Sequence, residues 1–396
     1  MTALSAVVQR VLARLNLREY AAATRRDPRY HKHSYETARS KTARSLGLFD
    51  CIEAPCVDEC PVDQDVPEYM RRVRDGDPAG AVAITRADNP IPAILGHVCD
   101  HLCEHTCIRT HYDEPLAIRE MKRFIMDQEP AARPPERPAA EPLEVAVIGA
   151  GPCGIAAAAE LAASGCEVRV LERHPYPGGM VGGAIPTYRL PQERIDRDVS
   201  VLDRLGVDVR YGVEAGRDVT LAGLRAEGFE QIVVAVGAQL AKRLGLEGED
   251  ADGVLDGIAF LRSVREGDPF PIGERVAVIG AGDTAMDCAR SAWRLGSKVS
   301  VVYRRTVDQM PADREEVRAL LDEGIEVIDL ALPVALRVEG GRLAGLVCRR
   351  MEYRGDRDAG GRKIPHEVEG SEFEVPFDTM LLAISQHSVL DFFGEQ

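Results

Sequence analysis

Val145 to Arg173 reads VAVIGAGPCGIAAAAELAASGCEVRVLER: an apolar run, the spacing Gly149-x-Gly151-x-x-Gly154, an Ala-rich stretch, a second apolar run and a carboxylate at Glu172. Each part has a physical reason. Gly149 permits a tight turn, Gly151 lets a pyrophosphate approach the backbone, and Gly154 lets helix and strand pack closely. The N-terminus of the Ala-rich helix that follows presents free N–H groups and positive potential to a phosphate. Glu172 closes the second strand 18 residues after Gly154, where a carboxylate can accept ribose hydroxyls. Strand, turn, helix, strand and acid together predict a dinucleotide-binding βαβ unit and place the chain in the α/β class.

The pattern recurs from Val276 as VAVIGAGDTAMDCARSAWRLGSKVSVVYRRT, with Gly280-x-Gly282-x-x-Ala285 opening the helix. Here the second strand ends not in an acid but in Tyr303-Arg304-Arg305. A carboxylate would accept the ribose hydroxyls of NAD and repel the extra phosphate of NADP, whereas guanidiniums can grip that 2′-phosphate bidentately. NADP(H) is therefore favoured over NAD(H) at the second unit. Two such units, the first with Glu and the second with Arg-Arg, suggest a flavin site followed by a nicotinamide site. Residues 232–240 (IVVAVGAQL) look like a strand entering a Gly turn, so the nicotinamide unit is expected to be inserted into a discontinuous flavin domain. Hydride transfer between stacked rings requires no protein acid or base, so no catalytic side chain is assigned.

Six of the ten cysteines fall between positions 51 and 107, as Cys51-x4-Cys56-x3-Cys60-Pro61 and Cys99-x3-Cys103-x3-Cys107. Zinc knuckles with Cys-x2-Cys spacing are absent, and closely spaced thiols with a Cys-Pro step suit one or two iron–sulfur clusters of the [4Fe-4S] type. Redox-disulfide chemistry competes for a flavin and nicotinamide pair, but Cys153 and Cys166 are far apart on the first unit and Cys288 and Cys348 are isolated.

The 396 residues carry 45% apolar and 29% charged side chains with a net charge of −15, which argues against a general nucleic-acid binder. No apolar run approaches a membrane span of about 18 residues. With no signal-peptide pattern, a cytoplasmic location is the default. Residues 1–45 hold ten Arg/Lys against three Asp/Glu, and Leu4 to Tyr20 has helical apolar spacing. This basic arm packs on its own domain, docks an acidic partner or is a transit peptide, in that order. Five prolines between Gln128 and Pro142 read as a stiff linker. The expected organisation is a cysteine-rich helical domain over 1–127, the linker over 128–142, an FAD domain over 143–272, an NAD(P)H domain over 273–380 and a return to the FAD domain over 381–396.

Several segments together resemble one family: CIEAPCVDECPVDQDVPEYM (51–70), NPIPAILGHVCDHLCEHTC (89–107), AIREMKRF (117–124), GGMVGGAIPTYRLP (178–191), GAGDTAMDCAR (280–290) and VVYRRTVDQMPA (301–312). The family includes the small subunit of bacterial glutamate synthase, the N-terminal half of dihydropyrimidine dehydrogenase, the large subunit of NADH-dependent ferredoxin:NADP oxidoreductase, and flavoprotein subunits assigned to selenate reduction. The resemblance implies a helical domain with two [4Fe-4S] clusters, followed by FAD and NAD(P)H domains. It places Cys51, Cys56 and Cys107 on one cluster and Cys60, Cys99 and Cys103 on the other. Leu48 stands where relatives often have a further Cys, and Glu120 is the nearest candidate for the second cluster's fourth ligand.

For FAD the resemblance carries over Gly149, Ala150, Gly151, Pro152, Cys153, Glu172, Gly178, Gly179, Met180 and Arg189, with Val98 near the flavin; Gly154 belongs to the same fingerprint. For the nicotinamide cofactor it carries over Gly280, Gly282, Asp283, Thr284, Arg304, Arg305 and the segment Ala383-Ile384-Ser385. Relatives have Gly where Ser385 stands, and a side chain there would crowd a close backbone approach. They also continue past this point with a segment that closes the FAD domain, whereas this sequence ends at Gln396. A fragment, a piece supplied by a partner, or weakened FAD binding are the three readings, the first two ahead of the third. The implied activity is electron transfer between NAD(P)H, FAD and the clusters, to or from a redox partner in a hetero-oligomer. A scaffold subunit without turnover is the alternative.

Overall fold

A computed structural model describes residues 54–129 and 143–393. The basic arm, Cys51 and nearly all of the Pro-rich linker lie outside the described residues. The chain divides into two compact units: in the described residues, the first comprises 54–129, 143–178, 192–235 and 392–393, and the second 179–191 and 236–391.

The first unit begins with short helices: α1 (Pro55–Asp58), α2 (Val66–Arg74), α3 (Pro78–Asp88), α4 (Pro92–Val98), α5 (Leu102–His105) and α6 (Ile118–Asp127). Proline lies in the first turn of the first four, where its missing N–H costs nothing. The Asp65 side chain accepts the Glu68 N–H and Asp77 accepts the Gly80 N–H, capping α2 and α3. Val66, Tyr69, Ala81, Val82, Ala93, Ile118, Ile125 and Met126 form the helical core, and Cys56 and Cys103 pack against it.

The same unit then builds a parallel sheet in the order β3-β2-β1-β4 from β1 (Glu144–Ile148), β2 (Glu167–Glu172), β3 (Asp208–Tyr211) and β4 (Gln231–Val234). Helices α7 (Pro152–Ala163), α9 (Gln192–Arg204) and α10 (Leu221–Ala226) belong to it as well. The strand expected at 232–240 is shorter than the sequence suggests. It ends at Val234, where the Ala235 N–H still bonds the Ile148 carbonyl, and Gly237 turns the chain with a φ of 65°.

The second unit holds the short helix α8 (Gly179–Gly183), the small strand β5 (Leu240–Ala241), helix α11 (Gly257–Glu266) and a five-stranded parallel sheet in the order β6-β13-β7-β8-β9. Its strands are β6 (Val254–Asp256), β7 (Arg275–Ile279), β8 (Lys298–Val302), β9 (Glu326–Ile328) and β13 (Thr379–Leu382), with α12 (Asp283–Arg294) and α13 (Arg314–Asp322) between them. An antiparallel sheet of β10 (Ala331–Glu339), β11 (Arg342–Arg357) and β12 (Lys363–Val375) follows β9, and β14 (Gln386–His387) pairs with β5. The longer segment of this unit begins at Val236, and β6 joins its sheet by pairing with β13. Near the end of the chain Phe392 packs on Gly216 of the first unit, whose φ of +90° places a would-be Cβ 2.6 Å from the Phe392 Cβ. Among the described residues no helix is long and apolar enough to cross a membrane.

Candidate functional sites: two glycine turns and a thiol-bearing helical segment

The first glycine turn sits at the carboxyl end of β1. Gly149 has a φ of +104° and its N–H bonds the Leu171 carbonyl at 2.8 Å. Gly151 is the residue before α7, extended and without a side-chain cap, so the first-turn N–H groups of the helix are left for a ligand. Gly154 lies so close to Gly149 that an added Cβ would meet the Gly149 carbonyl oxygen at 1.8 Å. Ala150 is fully buried and its carbonyl accepts the Gly178 N–H at 2.7 Å, so the loop after β2 is tied to the turn. These features fit a dinucleotide pyrophosphate. Pro152 and Cys153 open α7, Cys153 being exposed, and Val98 ends α4.

Glu172 is only 4% exposed, and its carboxylate braces the turn: Oε2 accepts the Ala150 N–H at 2.7 Å and Oε1 the His174 N–H at 2.8 Å. Each oxygen keeps a lone pair for a ribose hydroxyl. Gly178 falls in the first unit, and Gly179, Met180 and Arg189 in the second. Arg189, expected at the flavin, makes ion pairs within the second unit. Its Nη1 lies 2.8 Å from Asp287 of α12 and its Nε 2.8 Å from Glu316 of α13, which fastens the 179–191 segment to the second sheet's helices.

The second turn opens on a cleft of about 470 Å³. Gly280, Gly282 and Thr284 lie on it together with Arg304, Arg305 and the segment Ala383-Ile384-Ser385, residues up to about a hundred positions apart. Gly280 has a φ of +126°, and a Cβ there would strike the Ala383 carbonyl at 2.3 Å. A Cβ on Gly282 would meet nothing within 4 Å, which is the open cradle a phosphate needs. Asp283, exposed in the first turn of α12, accepts the Asp313 N–H at 3.1 Å rather than entering the cleft lining. Ser385 is exposed at the cleft edge, and its carbonyl holds the Lys242 N–H at 3.0 Å.

The two arginines differ. Arg304 is exposed, and among the described residues no hydrogen bond or ion pair engages its guanidinium. Arg305 is 7% exposed; its Nε bonds the Lys363 carbonyl at 3.0 Å and its Nη2 lies 3.5 Å from Asp358. Sequence reasoning missed Leu244, Pro311, Leu332, Pro333 and Arg362 in the lining. The Asp358-to-Gly361 stretch announces a turn, but nothing local says that this turn folds back onto the cleft.

Five of the six expected thiols are described. Burial raises the Cys56 thiol, with Cys107 and, more weakly, Cys60 adding to it. The two groups are joined where the Thr106 hydroxyl bonds the Pro55 carbonyl at 3.3 Å. Burial pushes the Cys103 thiol up to about 12, with Cys99 adding to the effect; coordination to iron would reverse that by deprotonating it outright. The His101 N–H points at the Cys99 sulfur at 3.4 Å, the kind of donor that supports a cluster-bound thiolate. A set of four half-buried thiols and the buried Cys107 beside an apolar core fits an iron–sulfur cluster. Glu120 is 54% exposed and paired with Arg123 at 3.3 Å, whereas the buried residue of α6 that acts on Cys103 is Lys122. All nine described cysteines are free; Cys166, Cys288 and Cys348 are buried, and burial raises each of their thiols, Cys348 to about 12.

Two family models match: dihydropyrimidine dehydrogenase domain II, 4Fe-4S cluster, over residues 24–133, and pyridine nucleotide-disulphide oxidoreductase over residues 143–341. The NADP(+)-dependent formate dehydrogenase subunit beta of Moorella thermoacetica is 37% identical over 90% of this chain and 54% of its own length. The NADPH-Fe(3+) oxidoreductase subunit beta of Geobacter sulfurreducens is 38% identical over 91% and 55%. This chain thus spans about half the length of those two relatives. The glutamate synthase [NADPH] small chain of Escherichia coli is 34% identical over 89% of this chain and 78% of its own. Among solved structures, Mycobacterium tuberculosis FprA in complex with NADPH shares the fold, with a TM-score of 0.55 at 21% identity over 63% of this chain and 72% of that one. The chain belongs to the pyridine nucleotide-disulphide oxidoreductase family, in the iron–sulfur branch that includes the glutamate synthase small chain.

Proposed function

We propose that the chain is the electron-input subunit of a redox complex, exchanging hydride equivalents between NADPH and FAD and relaying single electrons through iron–sulfur clusters to or from a partner. The observation that carries this reading is the contrast between two glycine turns in one chain, one backed by a buried carboxylate and the other facing arginines across a cleft. The cofactors, when bound, supply the redox chemistry itself; the protein holds and orients them.

Gly149 and Gly151, with the first turn of α7, would hold the FAD pyrophosphate, and Glu172 would take its ribose while keeping the turn closed. Gly280, Gly282 and Thr284 would hold the nicotinamide dinucleotide, with Arg304 placed for its 2′-phosphate. Cys56, Cys60, Cys99, Cys103 and Cys107 would ligate iron together with Cys51, one cluster around Cys56 and Cys107 and the other around Cys99 and Cys103. Support for a link between flavin and clusters comes from α4, which ends at Val98, leads directly into Cys99 and is anchored on the flavin-binding sheet's helix α9. Several relatives are named as beta or small subunits, which supports a protein partner, and the free thiols suit a reducing compartment such as the cytoplasm.

Anaerobic flavin bleaching by the two nicotinamide cofactors tests this reading. NADPH is expected to half-saturate the reaction at a concentration roughly tenfold or more below NADH, the scale of one charge-assisted contact. Arg304→Gln should narrow that gap. Equal performance by NADH, or no bleaching by either, overturns the reading.

A further inference from the structure

The tip of the β11–β12 hairpin lies at the same cleft as the second glycine turn, although it comes about eighty residues later in the chain. Three bonds seat the hairpin on the segment after β8. Arg305 Nε donates to the Lys363 carbonyl at 3.0 Å, the Lys363 N–H donates to Gln309 Oε1 at 3.2 Å, and the Thr306 N–H donates to the Tyr353 hydroxyl at 3.0 Å. The tip is itself closed. Asp358 Oδ1 accepts the N–H groups of Gly360 and Arg362, both at 3.0 Å, and Gly361 turns with a φ of +77°.

This construction brings a third guanidinium to the cleft. Arg362 is half exposed, and its Nε is held 3.0 Å from Asp358 Oδ2, the same carboxylate that faces Arg305 at 3.5 Å. Asp358 therefore orients two arginines with one side chain, while Arg304 stands unpaired among the described residues. In a Rossmann unit the adenosine ribose lies beyond the end of the second strand, which here is the Tyr303-Arg304-Arg305 corner. A dianion at the ribose 2′ position would thus arrive between the β8 corner and the hairpin tip.

We propose that Arg362 is a specificity-determining residue for the 2′-phosphate of the dinucleotide, donating to it from the hairpin while Arg304 donates from the strand end. Asp358 is a positioning residue that fixes the Arg362 guanidinium. The proposal rests on the reading of this cleft as the NADP site.

The test is calorimetric binding of 2′,5′-ADP and 5′-AMP to the full chain, two probes that differ only in the 2′-phosphate. Wild type should prefer 2′,5′-ADP. Arg362→Gln should weaken 2′,5′-ADP by roughly tenfold or more, the scale of a lost charge-assisted hydrogen bond, and leave 5′-AMP within about twofold. Arg362→Lys, which keeps the charge but not the fork, should recover part of the loss. Arg354→Gln removes an equal charge from β11, where the residue is exposed and paired only locally with Glu352, and should leave the preference intact. If wild type prefers 2′,5′-ADP but Arg362→Gln loses no more affinity for it than Arg354→Gln does, the role of Arg362 is overturned and the cleft assignment stands. If wild type shows no preference between the probes, the cleft assignment fails and the role of Arg362 fails with it.

Discussion

Gly154→Ala is expected to give a protein that purifies without flavin while retaining iron in its helical segment. The added Cβ would lie 1.8 Å from the Gly149 carbonyl oxygen and 2.9 Å from its carbon, both backbone atoms at the turn proposed to receive the pyrophosphate. No rotamer relieves that overlap, so α7 or the turn must move. Overpacking of this kind costs about 1–3 kcal/mol. The larger consequence is for the site, since the Ala150 N–H held by Glu172 and the N–H groups at the start of α7 lose their common geometry. Gly282→Ala is the informative contrast. Its Cβ would meet nothing within 4 Å, so that variant should fold normally, keep its flavin and lose affinity only for the nicotinamide dinucleotide. Flavin content and NADPH binding measured on both variants check the pair. Flavin retained at wild-type level in Gly154→Ala would show that the turn tolerates the displacement.

Asp198→Ala should produce the second large effect, loss of iron and a marked fall in stability. Asp198 has no exposed surface, and one carboxylate serves three partners: the Ala93 N–H at 3.3 Å, the Ile94 N–H at 2.7 Å and Arg86 Nη1 at 2.7 Å. Arg86 in turn pairs with the buried Glu129 at 2.7 Å. Removing one partner from such a buried set costs about 3–5 kcal/mol, because the guanidinium and two helix N–H groups lose their compensation. The site of damage matters as much as its size. The two N–H groups open α4, whose far end is Val98 and Cys99. Releasing that end should loosen the Cys99–Cys103 group first, so iron analysis should show a loss ahead of flavin release. Asp198→Asn should be intermediate, since one amide oxygen can replace one acceptor while its NH2 faces a donor. Wild-type iron content in Asp198→Ala would mean that α4 is held by its packing on α6 alone, where Gly96 lies against the Arg123 backbone.

Both turns were legible because their chemistry is local. Strand, glycine spacing and helix sit within thirty residues, and the residues at the end of each second strand announce whether a carboxylate or a guanidinium stands there. The thiol groups were legible for the same reason. What escaped was long-range. Asp198 shares the buried face of α9 with Ile195 and Leu202, so a polar residue in an apolar stripe was there to be noticed, but its partners lie about a hundred positions earlier. The resemblance implies a flavin contact for Arg189 and says nothing of Asp287 and Glu316, its ion-pair partners about a hundred positions later. Arg362 depends on a hairpin folding back onto a corner formed much earlier in the chain, and no local pattern encodes that return.

Anaerobic titration of the iron-reconstituted chain with NADPH, followed by visible absorption and electron paramagnetic resonance, tests the relay most directly. The account predicts that the flavin band bleaches and that NADPH consumption continues past one equivalent per flavin while a reduced-cluster signal grows. Consumption that stops at one equivalent per flavin, with no cluster signal although dithionite elicits one, would contradict it.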